Sequence, residues 1–392
     1  MKKSTVIGAG IMGHGIAELL ALAGVEVTIV DINEELLKKA VENITWSLGK
    51  FVERRRIREE DAKAALERIK TNTNLEEAVV NADLVIEAVP EVMELKKIIY
   101  KKLDEAAPGH AILASNTSSL SITEMAEQTG RPEKVVGMHF FNPPMLMALV
   151  EVVRGEETDD ETTDAIVKLV EKLGKTPVVV RKDVRGFIVN RVIGAVMNEA
   201  FWAVENGEAT IEEVDAALKY KAGFPLGAFE LADMIGLDVM YEVGQIMETA
   251  YGDVAKSSPM LAKLVEEGNL GQKTGKGFYD WKVGRPRIPF KLSGKFDVQR
   301  LYAVATNEAA RLIHEDVAGP EDIDVGMKLG TGWPMGPCEQ ADKQGLDRHL
   351  GKLKELYAKY EKEVYAPCPF LNDCVAKGWT GKASGKGFYE YG

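Results

Sequence analysis

Apolar residues follow two rhythms along this chain, and the change falls near residue 183. Before it, short β-rich runs at 5–8, 26–30, 84–88, 111–115, 135–140, 149–153 and 177–181 alternate with stretches of helical periodicity. That alternation predicts a parallel sheet flanked by helices, an α/β class of fold. After 183 the strand signal fades. From Gly186 onward, long amphipathic stretches broken by Gly and Pro predict α-helices.

The helical part repeats itself. Residues 190–238 align without gaps on 299–347 at an offset of 109, with 17 identities in 49 positions. Shared positions include Asn198-Glu199-Ala200 with Asn307-Glu308-Ala309, and Gly223, Pro225 and Gly227 with Gly332, Pro334 and Gly336. Each copy closes alike, in Gly275-Lys276-Gly277-Phe278-Tyr279 and Gly385-Lys386-Gly387-Phe388-Tyr389. One helical unit has been duplicated. Three domains are expected: 1–183, 184–284 and 294–392, with the joint between copies near Pro286 and Pro289.

Composition narrows the class. The 392 residues carry a formal net charge of −12 with 45% hydrophobic content, which disfavours a general nucleic-acid binder. No run approaches the roughly 18 apolar residues of a membrane span, and strand-like residues from position 4 leave no room for a secretory leader. Cys338, Cys368 and Cys374 lack metal-ligand or CxxC spacing. They read as reduced thiols of a cytoplasmic protein, with no metal expected.

The first strand runs into Gly8-Ala9-Gly10-Ile11-Met12-Gly13, and a helix is expected over 16–23. A glycine-rich turn between strand and helix lets a pyrophosphate approach the backbone and the helix N-terminus. Asp31 ends the second strand, placed to accept hydrogen bonds from a ribose 2′-hydroxyl. The following Ile32-Asn33-Glu34 adds negative charge and no arginine, so NAD is expected rather than NADP.

Acid–base chemistry points to one place. Of five histidines, His139 alone sits in an apolar run with a carboxylate, Glu151, in the next apolar run. A paired His–Glu makes an oriented proton acceptor near neutral pH. Ser115-Asn116-Thr117-Ser118-Ser119-Leu120 follows the preceding strand. Both segments leave the sheet at its C-terminal edge, where open α/β sheets bind ligands.

These segments, with GFIVNR at 186–191, PLGAFELAD at 225–233 and GQKTGKGFY at 271–279, resemble the L-3-hydroxyacyl-CoA dehydrogenases, including 3-hydroxybutyryl-CoA dehydrogenases. The resemblance runs from residue 3 to 282, and the duplication extends it to the C-terminus. It implies a Rossmann-type NAD-binding domain with a helical hairpin at about 35–70. Two tandem all-α domains of the type at the C-terminus of 6-phosphogluconate dehydrogenase would follow. It implies His139 as the base, oriented by Glu151, with Ser118 and Asn190 on the substrate oxygens. Glu91, Lys96, Asn142 and Lys273 join the glycine turn and Asp31 at NAD. Ser47 and Arg54 would bind coenzyme A, with Lys50, Arg54 and Arg58 forming a basic helix face, and the substrate would be an acyl-CoA.

Two departures qualify the picture. Ala148 stands where many members have lysine, in a Met-rich segment that bears on acyl-chain length. Gln299 and Ala383 replace Asn190 and Lys273 in the second copy, so that copy is expected to be structural. It would cover the surface that single-copy members use for dimerisation, giving a monomer or an oligomer with other contacts. A separate enoyl-CoA hydratase is a possible metabolic partner. A dehydrogenase of a small hydroxy or sugar acid and a non-catalytic NAD-binding relative are the alternatives. The basic hairpin disfavours the first, and the intact set of Ser118, His139, Glu151 and Asn190 the second.

Overall fold

In the computed structural model, which describes residues 1–392, the chain divides into two units, Met1–Val184 and Arg185–Gly392. The first is built on strands β1 (Lys3–Ile7), β2 (Glu26–Val30), β3 (Ile69–Asn72), β4 (Leu84–Glu87), β5 (Ile112–Ser115), β6 (Val135–Phe140), β7 (Leu149–Arg154) and β8 (Thr176–Val180). They form one sheet in the order β3-β2-β1-β4-β5-β6-β7-β8. Its helices are α1 (Ile11–Leu22), α2 (Glu34–Glu53), α3 (Glu59–Glu67), α4 (Leu75–Val79), α5 (Met93–Ala106), α6 (Ile122–Ala126) and α7 (Asp160–Lys172). The central strands are buried on both faces, as continuous runs such as Leu84-Val85-Ile86 require.

Three differences from the sequence reading have physical causes. β7 runs antiparallel to β6: the link 141–148 is too short for the dozen or more residues of a parallel crossover. β3, Ile-Lys-Thr-Asn, lies at the sheet edge with only its first residue apolar, so it leaves little hydrophobic signal. α1 begins directly at Ile11, because the glycine turn opens into the helix with no intervening loop.

The second unit contains α8 (Val189–Glu205), α9 (Ile211–Ala217), α10 (Ala228–Ile235), α11 (Leu237–Tyr251) and α12 (Pro259–Glu266). The second copy follows as α13 (Gln299–His314), α14 (Pro320–Thr331), α15 (Pro337–Gln344), α16 (Leu346–Tyr360) and α17 (Pro369–Ala376). The copies share their internal ties. Asp215 accepts from the backbone N–H groups of Phe229 and Glu230 and from the Tyr279 hydroxyl. Asp324 does the same with Cys338, Glu339 and Tyr389. Asp233 and Asp342 accept from the N–H groups of the two Gly-Phe-Tyr endings. A Cβ on Gly277 would lie 2.0 Å from the Asp233 carboxylate, and one on Gly387 2.1 Å from that of Asp342. The repeated closing motif is therefore an anchor.

The copies also pack reciprocally, α8 against α13. Arg191 donates to Glu308 at 2.6 Å, and its counterpart Arg300 donates to Glu199, the counterpart of Glu308, at 2.5 Å. Gly223 faces Pro334 while Gly332 faces Pro225, and Phe224 stacks on Trp333 with ring centroids 4.4 Å apart. Residue i meeting j while j meets i is the signature of two-fold contact, here within one chain.

Candidate active site

The glycine turn is shaped by close approach. Gly8 has φ +100°, and a Cβ on Gly13 would stand 1.8 Å from the Gly8 carbonyl oxygen. Gly10 is different: a Cβ there would meet no protein atom within 4 Å. The chain itself does not require glycine at 10, so the requirement fits a ligand pressed against that backbone. Ile11 and Met12 open α1, whose first N–H groups face the same turn. Asp31 accepts from the Ala9 N–H with Oδ2 at 2.8 Å, which ties the turn to the end of β2 and leaves a second oxygen for a ribose hydroxyl. These features fit NAD. Asn142 is exposed and precedes a cis proline. Lys273, in the helical unit, pairs with Asp238 at 2.5 Å.

β6 and β7 bring the acid–base pair together. Antiparallel register sets His139 directly opposite Glu151, on one face at cross-strand distance. His139 Nδ1 lies 2.7 Å from Glu151 Oε2, with Glu151 wholly buried and His139 6% exposed. A carboxylate only accepts, so Nδ1 carries the proton and Nε2 is the basic nitrogen. The Phe141 ring packs against the imidazole at 4.5 Å between centroids. Asn116 Oδ1 accepts from the Phe140 N–H at 3.0 Å and fastens the end of β6 to the serine loop.

That loop is gathered by Glu91. Its Oε1 accepts from the Thr117 hydroxyl, the Ser118 and Ser119 N–H groups and the Ser119 hydroxyl. Ser121, not Ser118, caps α6, accepting from the Glu124 N–H. Lys96 is 1% exposed and pairs with Glu87 at 2.7 Å and Glu91 at 3.2 Å. Burial pushes the Glu91 carboxyl up, but the Lys96 charge and the loop's donors outweigh it and hold it below its ordinary value. Lys96 therefore acts on this edge through Glu91. Glu87, which the sequence reading missed, completes the network by accepting from the Ser115 hydroxyl at 2.7 Å. Its signal was there: a carboxylate closing the apolar run Leu-Val-Ile-Glu.

The basic face does not form as the spacing predicted. α2 ends at Glu53 with Arg54 as its C-cap, and Arg55 takes φ +56°. Arg58 then lies at the start of α3, bonded to Asp61, and Lys50 pairs with Glu53. The exposed cations at the tip of the hairpin are Arg54 to Arg56 and the ion-paired Arg58. Ser47, two turns before Arg54, hydrogen-bonds the buried Glu18 carboxyl; burial raises that group to about 7, with Ser47 pulling it back.

A second buried histidine lies in the helical unit. His349 is fully buried, between the Thr306 hydroxyl at 2.8 Å and Gln344 Oε1 at 3.0 Å. It has no carboxylate partner of the kind His139 has.

Comparison with known proteins decides the family. The description "3-hydroxyacyl-CoA dehydrogenase, NAD binding domain" matches residues 3–184, and "3-hydroxyacyl-CoA dehydrogenase, C-terminal domain" matches twice, at 186–281 and 296–391. The chain belongs to the 3-hydroxyacyl-CoA dehydrogenase family. It is an oxidoreductase whose amino-terminal unit is the NAD-binding domain. It is 43% identical to a probable 3-hydroxybutyryl-CoA dehydrogenase of Bacillus subtilis, over 72% of this chain and 98% of the relative. It is 33% identical to a 3-hydroxyadipyl-CoA dehydrogenase of Escherichia coli, over 93% of this chain and 96% of the relative. A solved 3-hydroxybutyryl-CoA dehydrogenase from Escherichia coli K12 superposes with a TM-score of 0.90 at 31% identity, covering 96% of this chain and 98% of that one. No helix of this dehydrogenase is long and apolar enough to cross a membrane.

Proposed function

We propose that this dehydrogenase oxidises (S)-3-hydroxyacyl-CoA to 3-ketoacyl-CoA, and runs the reverse, with His139 as the base. The observation that carries this reading is the 2.7 Å pairing of His139 Nδ1 with the buried Glu151 carboxylate at the edge of the sheet. NAD, when bound, supplies the nicotinamide carbon that accepts the hydride from C3. His139 Nε2 takes the hydroxyl proton as the C3–O bond becomes a carbonyl, so the proton leaves from the oxygen and the hydride from the carbon of the same alcohol. Glu151 holds the ring in the one productive tautomer and stabilises the imidazolium. Ser118, held by Glu91, and Asn190 donate to the substrate oxygens.

Gly8, Gly10, Ile11, Met12, Gly13 and Asp31 hold the cofactor, with Glu91, Asn142 and Lys273 toward it, Lys96 acting through Glu91. Ser47 and Arg54 hold coenzyme A at the hairpin. We assign the division 1–183, 184–284 and 294–392, a cytoplasmic location, and a monomer or an oligomer with other contacts, the second copy occupying the place of a dimer partner. A separate hydratase would supply the hydroxyacyl substrate. The test is NADH oxidation by acetoacetyl-CoA against free 3-keto acids, beside His139→Ala. No turnover of any CoA ester, or an unimpaired His139→Ala, overturns the reading.

A further inference from the structure

The two helical copies differ in filled volume beside α8 and α11. The first copy holds a groove of about 280 Å³ along α8, α11 and the segment 251–258. Gly194, Ala195, Gly244 and Ala255 line it. Their structural counterparts in the second copy are Ala303, Val304, Leu353 and Tyr365, all buried. Tyr365 reaches across to donate to Glu199 at 2.6 Å, and His349 takes the place of Met240. In consequence α16 buries Leu346, His349, Leu350, Leu353 and Leu356, while α11 buries Leu237 alone. The same fold can evidently pack solid here. The first copy keeps a space that forfeits packing contacts, which argues for an occupant.

The lining is mainly apolar, with Met197, Met240 and Met247, adaptable side chains that suit flexible ligands. Asn190, assigned above to a substrate oxygen, lies on it. The second copy completes the wall with Glu308, Arg311, Glu315 and Val364. The charges there satisfy one another: Arg191 binds Glu308 and Glu315, each at 2.6 Å, and Arg311 binds Glu308.

We propose that this groove takes the alkyl tail of the acyl group, and that the second helical copy, by forming part of its wall, helps set chain length. The proposal rests on the 3-hydroxyacyl-CoA reading. At the ~30 Å³ of one water molecule per carbon, the groove of about 280 Å³ has room for about nine carbons. Gly194, Gly244 and Ala255 are the specificity-determining positions.

The test uses the full-length enzyme and NADH with acetoacetyl-, 3-ketohexanoyl- and 3-ketodecanoyl-CoA. Expected in the wild type is a kcat/KM rising about fourfold per added methylene while the groove fills. Two variants fill it as the second copy does: Ala255→Tyr, and Gly244→Leu with Ser257→Ala, since the Ser257 hydroxyl lies 2.7 Å from where a Cβ on Gly244 would stand. Each should cut the ratio of decanoyl to acetoacetyl kcat/KM at least tenfold. A flat wild-type profile overturns the proposal without any variant. So does an unchanged ratio in the folded variants, or light scattering showing that the groove is a dimer interface the variants break. Failure of the wild type to turn over any thioester defeats the functional reading instead.

Discussion

Replacing Glu151 by Gln removes one charge and keeps the shape of the site. In the wild type the imidazolium that forms on proton transfer sits against a carboxylate that is wholly buried, 2.7 Å from Nδ1. With charge centres about 4 Å apart and an effective dielectric of about 20, that attraction is worth about 4 kcal/mol. The Gln oxygen can still accept from Nδ1, so its dipole returns part of this. A net loss of about 3–4 kcal/mol on the transition state corresponds to a fall in kcat of about 10² to 10³-fold, at 1.36 kcal/mol per decade. The assay is steady-state NADH oxidation with acetoacetyl-CoA, beside NADH titration and thermal unfolding. Cofactor affinity should hold, because Glu151 lies away from the glycine turn in the sheet order. Stability should not fall, because a buried carboxylate is expensive to desolvate. A folded Glu151→Gln enzyme within about threefold of wild-type kcat would refute the role given to the pair.

Gly10→Ala should leave the melting temperature within a degree or two yet weaken NADH binding at least tenfold, since the added methyl meets only the ligand; Gly13→Ala should fail to fold properly, with its Cβ 1.8 Å from the Gly8 oxygen. Both are read by thermal unfolding and NADH fluorescence titration, and equal cofactor affinity for Gly10→Ala and wild type would count against the pyrophosphate placement. Arg191→Met leaves Glu308 buried with Arg311 alone and should cost about 3–5 kcal/mol in urea unfolding, whereas adding Glu308→Met should recover most of it. A single-variant cost below about 1 kcal/mol contradicts the packing account. His349 is lowered from 6.5 to about 4 by burial. Above pH 6.5 it is neutral in both folded and unfolded chains. As pH falls from 6.5 toward 4 the unfolded chain binds the proton and the folded one does not, so about 3 kcal/mol of stability is lost in that window. A His349→Gln variant should show a correspondingly shallower decline, and parallel curves would exclude the assignment.

What the sequence revealed and what it hid divide along a physical line. The acid–base pair was legible because burying His139 and Glu151 in two adjacent apolar runs makes sense only if they meet, and antiparallel register does bring them face to face. The glycine turn was legible because strand, glycines and helix are contiguous in sequence. The strand direction at β7 was not, since nothing in the residues of a buried strand states which way it runs; the short link 141–148 was the available signal. The basic face failed for a related reason: a spacing of i, i+4, i+8 means one face only while the helix lasts, and α2 stops at Glu53.

The duplication shows the limit most sharply. Identities marked the parts of the two copies that do the same work: Asp215 with Asp324, Arg191 with Arg300, and the glycines of the closing motif. They are anchors and interface, and they would be kept in any copy that must fold and pair. The groove lies where identity is lost, at Gly244 against Leu353 and Ala255 against Tyr365. Sequence comparison reads such positions as drift. Volume reads four of them otherwise: Gly194, Ala195, Gly244 and Ala255 are each smaller than Ala303, Val304, Leu353 and Tyr365, while Met197 against Thr306 and Phe201 against Ala310 run the other way. A space kept open beside Asn190 in one copy, where Leu353 and Tyr365 pack solid in the other, is better explained by a ligand than by chance.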